Sequence, residues 1–207
     1  MLHRFRRPRR RRNLRPQNSV DADWAVELGA GDETLEMPWA APEGGPRYYD
    51  LKRQPELLRN IEEAGRVPEL AECLAAINSP VGILETAKCD AWASSEIDFE
   101  EEIFGAAFKF GSYLDLLFTE ERARFSFPEH ERLAKQLTEL LRRAPEIRAA
   151  AEFLVRRCHY RYEAEVASGF YITFYLFGYG EDELRAREQW GSALKLAENV
   201  LKQLSLR

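Results

Sequence analysis

Cysteine, histidine and carboxylate side chains are the residues of this chain that could perform chemistry, and few of them cluster. Cys89-Asp90 and Cys158-His159 each place a thiol beside a second ligating group. Both pairs lie in strand-like segments, where neighbouring side chains point to opposite faces. A structural zinc site needs closely spaced ligands that reach one ion. We therefore predict no metal site, and the same geometry disfavours Cys158 and His159 as a nucleophile and its base.

Glu85 is the carboxylate with the clearest chemical potential. It interrupts an alternating apolar row formed by Val81, Ile83, Ala87, Cys89 and Ala91. A buried carboxylate has a raised pKa and can serve as a general acid or base. A position at a strand edge, or an ion pair with an arginine, explains the same residue more simply. We favour these two alternatives.

Two segments, one acidic and one glycine-rich, are more typical of loops than of cofactor sites, and the acidic one is predicted to be a solvated hairpin loop. EIDFEEE (96–102) concentrates five carboxylates, but it lacks the alternating oxygen ligands and the glycine of a calcium-binding EF-hand loop. GAGDE (29–33) lacks the strand-to-helix context of a dinucleotide-binding fingerprint. The sequence predicts no cofactor.

The elements that must position these residues are clearest in the second half of the chain. Alternation of apolar residues predicts strands over 81–93, 103–118, 152–163 and 170–180. Helices are predicted from Ser126, whose hydroxyl and Glu129 form a capping box, to Pro145, and from about Asp182 to the end. The order strand–strand–helix thus occurs twice and is consistent with a duplicated unit. We predict an α+β fold: an antiparallel sheet of about four long strands with the two long helices on one face.

The first half is less regular. WAVEL (24–28), LEMPW (35–39) and RYYDL (47–51) predict a small N-terminal β-meander, and Pro55 and Pro68 mark the starts of two short helices. Residues 1–22 lack apolar periodicity and are predicted to be a disordered tail. Residues 23–207 are predicted to be a single domain, in which 23–80 hold the meander and short helices and 81–207 hold the sheet and long helices.

The strand at 170–179 carries the feature most suggestive of binding. Phe170, Ile172, Phe174 and Leu176 form a natural core row, whereas the opposite row contains Tyr171, Tyr175 and Tyr179. Aromatic rings with polar tips are typical of surfaces that contact a partner or a ligand. The alternative is that residues 24–51 fold over this row. The candidate binding residues are Tyr171, Tyr175, Tyr179, Arg157, His159 and Arg161.

The distribution of charge narrows the set of partners. Eight of the 30 basic residues are arginines within residues 4–15, so the rest of the chain holds 22 basic against 35 acidic residues, a formal charge of about −13. A body of this sign repels nucleic acids and anionic membranes. Three scattered cysteines favour a reducing cytoplasm over a disulfide framework. Deleting residues 1–16 is expected to leave folding unchanged.

These observations favour a cytoplasmic binding or assembly module that forms a homodimer or contacts a protein partner through its tyrosine-rich face. A binding role is favoured over an enzymatic one. The first alternative is a small-molecule enzyme with a pocket between the sheet and the N-terminal meander, using Glu85, His159 or Arg157. The second is an acidic protein that masks a basic surface on its partner. The sequence identifies no ligand, partner or reaction.

Overall fold

The computed structural model describes residues 20–41, 45, 47–144, 147–162 and 165–205. The strands are β1 (Asp21–Glu27), β2 (Thr34–Met37), β3 (Leu84–Ser94), β4 (Phe108–Phe118), β5 (Ala149–Tyr162) and β6 (Glu165–Gly180). The α-helices are α1 (Glu62–Arg66), α2 (Pro68–Ile77), α3 (Glu121–Arg124), α4 (Phe127–Leu141) and α5 (Glu183–Ser205). Short 3-10 helices cover Pro55–Asn60 and Phe99–Phe104. Residues 1–19 of the predicted tail lie outside the described residues, whereas Val20 and Ala22 are buried and β1 begins between them.

One mixed sheet carries the fold. The four long strands lie in the order β5-β6-β4-β3 and are antiparallel, as predicted. However, the predicted four-stranded sheet with a separate N-terminal meander is wrong, because β1 and β2 join the same sheet as strands five and six. Both pair in parallel with β5, one after the other: Glu27 lies opposite Arg156, and Thr34 lies opposite Arg157. In 47–51, Arg47 forms an isolated antiparallel bridge with Ala40, and the Tyr48 amide donates to the Trp39 carbonyl at 2.9 Å.

The helices pack on one face of the sheet, which we call the helix face. Ser126 caps α4 by accepting a hydrogen bond from the Glu129 amide at 3.4 Å, and the Asp182 carboxylate accepts one from the Arg185 amide at 2.8 Å where α5 begins. The apolar stripes of α2, α4 and α5 then bury against alternating residues of all four long strands. The prediction that both long helices share one face is confirmed.

The order of the strands has an internal two-fold pattern. One unit comprises β3, β4 and α4, and the other comprises β5, β6 and α5. The second strand of each unit lies at the centre, where β4 and β6 pair antiparallel with Asp115 opposite Thr173. The predicted repetition of strand–strand–helix is therefore present in the topology.

Two local irregularities change which residues share a face. The pairing of β3 with β4 shifts between Thr86 and Cys89, which is a β-bulge. The predicted strand 103–118 starts too early, because Phe104 ends a 3-10 helix and Gly105 follows it with a φ of 58°. β4 begins only at Phe108.

Candidate functional site

The tyrosine row of β6 lies on the second face of the sheet, opposite the helices, and it is covered. Tyr171 and Tyr179 are fully buried and Tyr175 is 6% exposed. The hydroxyl of Tyr179 donates to Glu101 Oε1 at 2.8 Å, and its ring stacks on Phe104 at 4.1 Å between ring centres. Self-association through these tyrosines stays a prediction, but their burial means that a partner would first meet other residues.

Two apolar clusters provide this cover. The N-terminal segment covers the end of the second face near Tyr171, with Leu35, Met37, Trp39 and Tyr48. At this end, the cover agrees with the alternative prediction that residues 24–51 fold over the tyrosine row. The other end, near Tyr179, is covered by Trp92 on β3 and by the connection from β3 to β4, with Ile97, Phe104 and Ala106. The acidic loop 96–102 is thus not fully solvated: Glu101 is 2% exposed and accepts a hydrogen bond from Lys109 at 2.7 Å. Burial alone would raise the pKa of Glu101, but its hydrogen bonds from Lys109, the Asp98 amide and Tyr179 hold that pKa below its ordinary value.

A polar network separates the two clusters. Asp115 on β4 accepts a hydrogen bond from the Thr173 hydroxyl at 2.7 Å, and Thr173 accepts one from Arg156 at 3.2 Å. Arg156 also binds Glu27 at 2.8 Å and Glu33 at 3.0 Å, which ties β1 and the loop after it to the sheet. Asp115 is 3% exposed, and burial is the main cause that raises its pKa to about 7.

The three predicted basic binding residues of β5 do not meet one another or the tyrosines. Phe153 and Val155 pack into the helix-face core, so alternation places 157, 159 and 161 on that side of the sheet. Arg157 donates to the Leu28 carbonyl at 2.8 Å, His159 Nδ1 lies 3.3 Å from the Ser168 hydroxyl, and Arg161 pairs with Glu36. Each is engaged locally.

A cleft does occur between the sheet and the N-terminal segment, at the end of the sheet where β3 begins and β5 ends. We call it the edge cleft, and its volume is about 370 Å³. Residues 37–38 and 48–53 form one wall, and the β3 start, α3 and the β5 end form the other. It is lined by Met37, Pro38, Tyr48, Asp50, Lys52, Arg53, Glu85, Thr119, Arg124, Tyr160, Arg161 and Tyr162.

The Glu85–Arg124 ion pair lies in this cleft. Glu85 lies on β3, which is an edge strand of the sheet, so both favoured explanations of this residue apply. Glu85 Oε1 lies 3.1 Å from Arg124 Nη2, and the two side chains are 10% and 22% exposed. Arg124 is held by a hydrogen bond from its Nε to the Phe118 carbonyl at 2.8 Å, and its guanidinium lies 5.4 Å from the Tyr160 ring centre. Burial raises the pKa of Glu85 above its ordinary value, although Arg124 opposes this. The predicted apolar row that Glu85 interrupts is not a single row in the structure. The bulge places Ala87 on the second face and Cys89 and Ala91 on the helix face.

Further polar groups converge on the same cleft. Lys52 donates to the Ser79 carbonyl at 2.6 Å and to the Gly82 carbonyl at 2.8 Å, and burial lowers its pKa. The pKa of the Tyr48 phenol is raised, first by burial and then by the negative charges of Glu85 and Asp50. Of the three residues named for an enzymatic site, Glu85 lines the edge cleft, whereas Arg157 and His159 do not.

Cys158 lies apart from the other two cysteines. Cys89 packs against the helix-face core and Cys158 lies in the second-face cluster, so the sheet separates the two thiols. Cys73 is buried in α2. Among the described residues, no group of three or more histidine, cysteine or acidic side chains is arranged to hold a metal ion.

Comparison of the chain with protein-family models, with curated proteins and with solved structures found no match. Within the described part of the chain, no helix is long and apolar enough to cross a bilayer. The case for function therefore depends on the geometry of the chain itself.

Sequence reasoning missed two charged residues that the fold buries wholly or in part, Arg124 in the edge cleft and Asp115 at the centre of the sheet. Arg124 lies in a short polar stretch between a strand and a helix, and only the need of Glu85 for a counter-charge indicated that such a cation exists. Asp115 follows Tyr113 in the row of β4 that alternation assigns to the non-core face. Leu117 in the same row was the available signal that this face is partly buried, because a solvated row does not favour a large apolar residue.

Proposed function

We propose that this protein binds a small polar molecule in the edge cleft. The observation that supports the proposal is a concave site of about 370 Å³ in which a largely buried ion pair, Glu85–Arg124, faces phenols and cations contributed by separate parts of the chain. Ligand sites commonly combine a concave shape with a few converging polar groups and perturbed pKa values.

The lining residues favour binding over catalysis. Thr119 is the hydroxyl-bearing aliphatic residue of the lining, and its hydroxyl donates to the Ile83 carbonyl at 3.0 Å, so it is not activated by a base. Among the described residues that line the cleft there is neither a cysteine nor a histidine. Covalent catalysis would need an activated nucleophile beside its base. The charged and phenolic groups that line the cleft are suited to binding a polar ligand.

Chemical-shift mapping tests this proposal. Polar fragments of four classes (carboxylates, phosphates, amines and sugars) are added to the isotope-labelled full chain, and amide resonances are followed. Shifts that cluster at Tyr48, Glu85, Arg124 and Tyr160 are the expected result. The variant Arg124→Gln should lose them, whereas Arg132→Gln, on the exposed side of α4, should retain them. Fragments that shift only resonances outside the cleft, or none at all, would refute the proposal.

Self-association and the masking of a basic partner stay predictions beside this one. Sedimentation of the wild-type chain across micromolar concentrations tests the first. A salt-sensitive pull-down tests the second, since an acidic surface binds a basic partner less tightly as salt screens the charges.

A further inference from the structure

The charges of the edge cleft are unevenly satisfied. Among the described residues, four cations and two carboxylates line it. Arg161 is paired with Glu36 outside the lining, and Asp50 lies 3.5 Å from Arg53 while its charge also acts on Lys52. Glu85 contacts Arg124, and its charge acts on Lys52 as well. With Asp50 and Glu85 both ionised, Lys52, Arg53 and Arg124 still leave one net positive charge.

The contact between Glu85 and Arg124 has a geometry in which a ligand could replace Glu85. A single carboxylate oxygen meets a single guanidinium nitrogen at 3.1 Å, whereas arginine binds carboxylates and phosphates most strongly through two parallel hydrogen bonds. Arg124 would keep its place without Glu85, because its Nε is fixed to the Phe118 carbonyl and its plane lies near the Tyr160 ring. Arg124 is thus held by contacts other than Glu85, whereas Glu85 is a side chain near the start of the edge strand β3.

We propose that the ligand of the edge cleft is an oxyanion, a carboxylate or a phosphate, which takes the place of Glu85 on Arg124 while Glu85 binds one proton from solvent. This inference rests on the proposed binding function and specifies its ligand class and its pH dependence. Glu85 acts as an internal competitor that occupies the anion position when the ligand is absent.

The proton follows from the groups that face Glu85. Arg124 on α3, and Lys52 and Arg53 on the N-terminal wall, favour its ionised form, whereas Asp50 opposes it. The Tyr48 and Tyr160 phenols lie close enough for the charge of Glu85 to raise their own pKa values. When the ligand engages Arg124, Glu85 loses its nearest cation and gains a nearby anion, and both changes favour protonation of a largely buried carboxyl. The neutral carboxyl can then donate a hydrogen bond to the ligand.

Calorimetry with defined probes tests the inference. Benzoate and inorganic phosphate are the anionic probes, and benzamide is the neutral analogue of benzoate. Titrations of the full chain at about pH 5.5 and pH 7.5, in buffers of different ionisation enthalpy, report affinity and protons taken up. Wild type should bind benzoate more tightly at the lower pH, with uptake of up to one proton at the higher pH, and should not bind benzamide. The anion that binds more tightly, benzoate or phosphate, identifies the ligand group.

Variants separate competition from a structural role. Glu85→Gln should bind the anion about fivefold or more tightly at pH 7.5 and should take up no proton, because the competitor no longer carries charge. Glu129→Gln, in an exposed pair with Arg132, is the matched control and should behave as wild type. Arg124→Gln should abolish binding. If the Arg124→Gln variant does not fold, Arg124→Lys takes its place and should weaken binding. Equal or weaker binding by a folded Glu85→Gln variant would overturn the inference, as would equal binding of benzamide and benzoate. In either case, cleft shifts with another fragment class would leave the binding function standing.

Discussion

At the scale of single residues, Asp115 is a carboxylate whose burial is costly. It is a buried carboxylate at the centre of the sheet, and the groups that face it are the Thr173 hydroxyl, Lys88, Arg156 and Glu33. Neither cation forms a close ion pair with it among the described contacts, so the loss of hydration is only partly compensated and its pKa rises to about 7. Folding therefore favours the protonated form of Asp115.

This burial makes a prediction about stability and pH. Because the pKa of Asp115 is higher in the folded chain than in the unfolded one, its contribution is most favourable at low pH and is lost as pH rises toward 7. Asp115→Asn, which can still accept from Thr173, should therefore stabilise the protein relative to wild type by an amount that grows between pH 4 and 7 and then levels off. The difference in pKa between the folded and unfolded chains limits this stabilisation to about 4 kcal/mol. Urea unfolding of both proteins at several pH values measures this, and a difference that does not vary with pH would contradict it.

At the scale of elements, two glycines set the distance between α5 and β6. A Cβ placed on Gly178 would overlap the backbone of Trp190, and one on Gly180 would overlap the backbone of Ala186. This close approach seats the fully buried Trp190 indole, whose nitrogen donates to Ser112 at 2.8 Å and whose ring lies 4.8 Å from Phe110. The contact depends on backbone shape, which neither hydrophobic pattern nor helix propensity encodes.

Gly178→Ala should accordingly lower the free energy of unfolding by about 3 kcal/mol or more, because helix and strand must separate to admit one methyl group. Gly191→Ala is the matched control: it lies on α5, where an added Cβ would meet only Glu69 Cγ at 3.8 Å, and it should stabilise the protein by up to about 1 kcal/mol through helix propensity. Denaturant unfolding measures both. Similar effects of the two substitutions would refute the role of close packing.

At the scale of the whole molecule, the sequence predicted the elements better than their partners. The long strands, the two helices and the caps at Ser126 and Asp182 follow from local rules, since alternation, helical spacing and capping are each encoded within a few residues. The parallel pairing of β1 and β2 with β5 is a long-range choice that short strand patterns do not specify. Glu85 could be singled out because it broke a row, but the bulge that explains that row, and its pairing with Arg124, required the fold.

The two edges of the sheet show how the molecule limits its own assembly. On β1, the Trp24 amide donates to the Asp23 side chain at 2.8 Å, and the Ala22 carbonyl accepts from Arg142 at 2.7 Å. On β3, the Ala91 amide donates to the Asp90 side chain at 2.7 Å. Nearer the start of β3, the Thr86 amide and the Ala87 carbonyl are bound by the side chains of Asn78 and Trp39, respectively. Side chains thus occupy backbone groups that a second copy would need in order to extend the sheet.

Self-association, if the protein uses it, should therefore not proceed through the sheet edges of the wild-type chain. Removing both aspartate caps in Asp23→Ala/Asp90→Ala frees one amide on each edge and removes charge from it, so the variant should associate at concentrations where wild type does not change in mass. Sedimentation velocity across micromolar concentrations measures this. Glu139→Ala/Glu183→Ala removes the same charge from exposed helix positions and should match wild type. Equal association of the two double variants would show that net charge, rather than edge capping, keeps the copies apart.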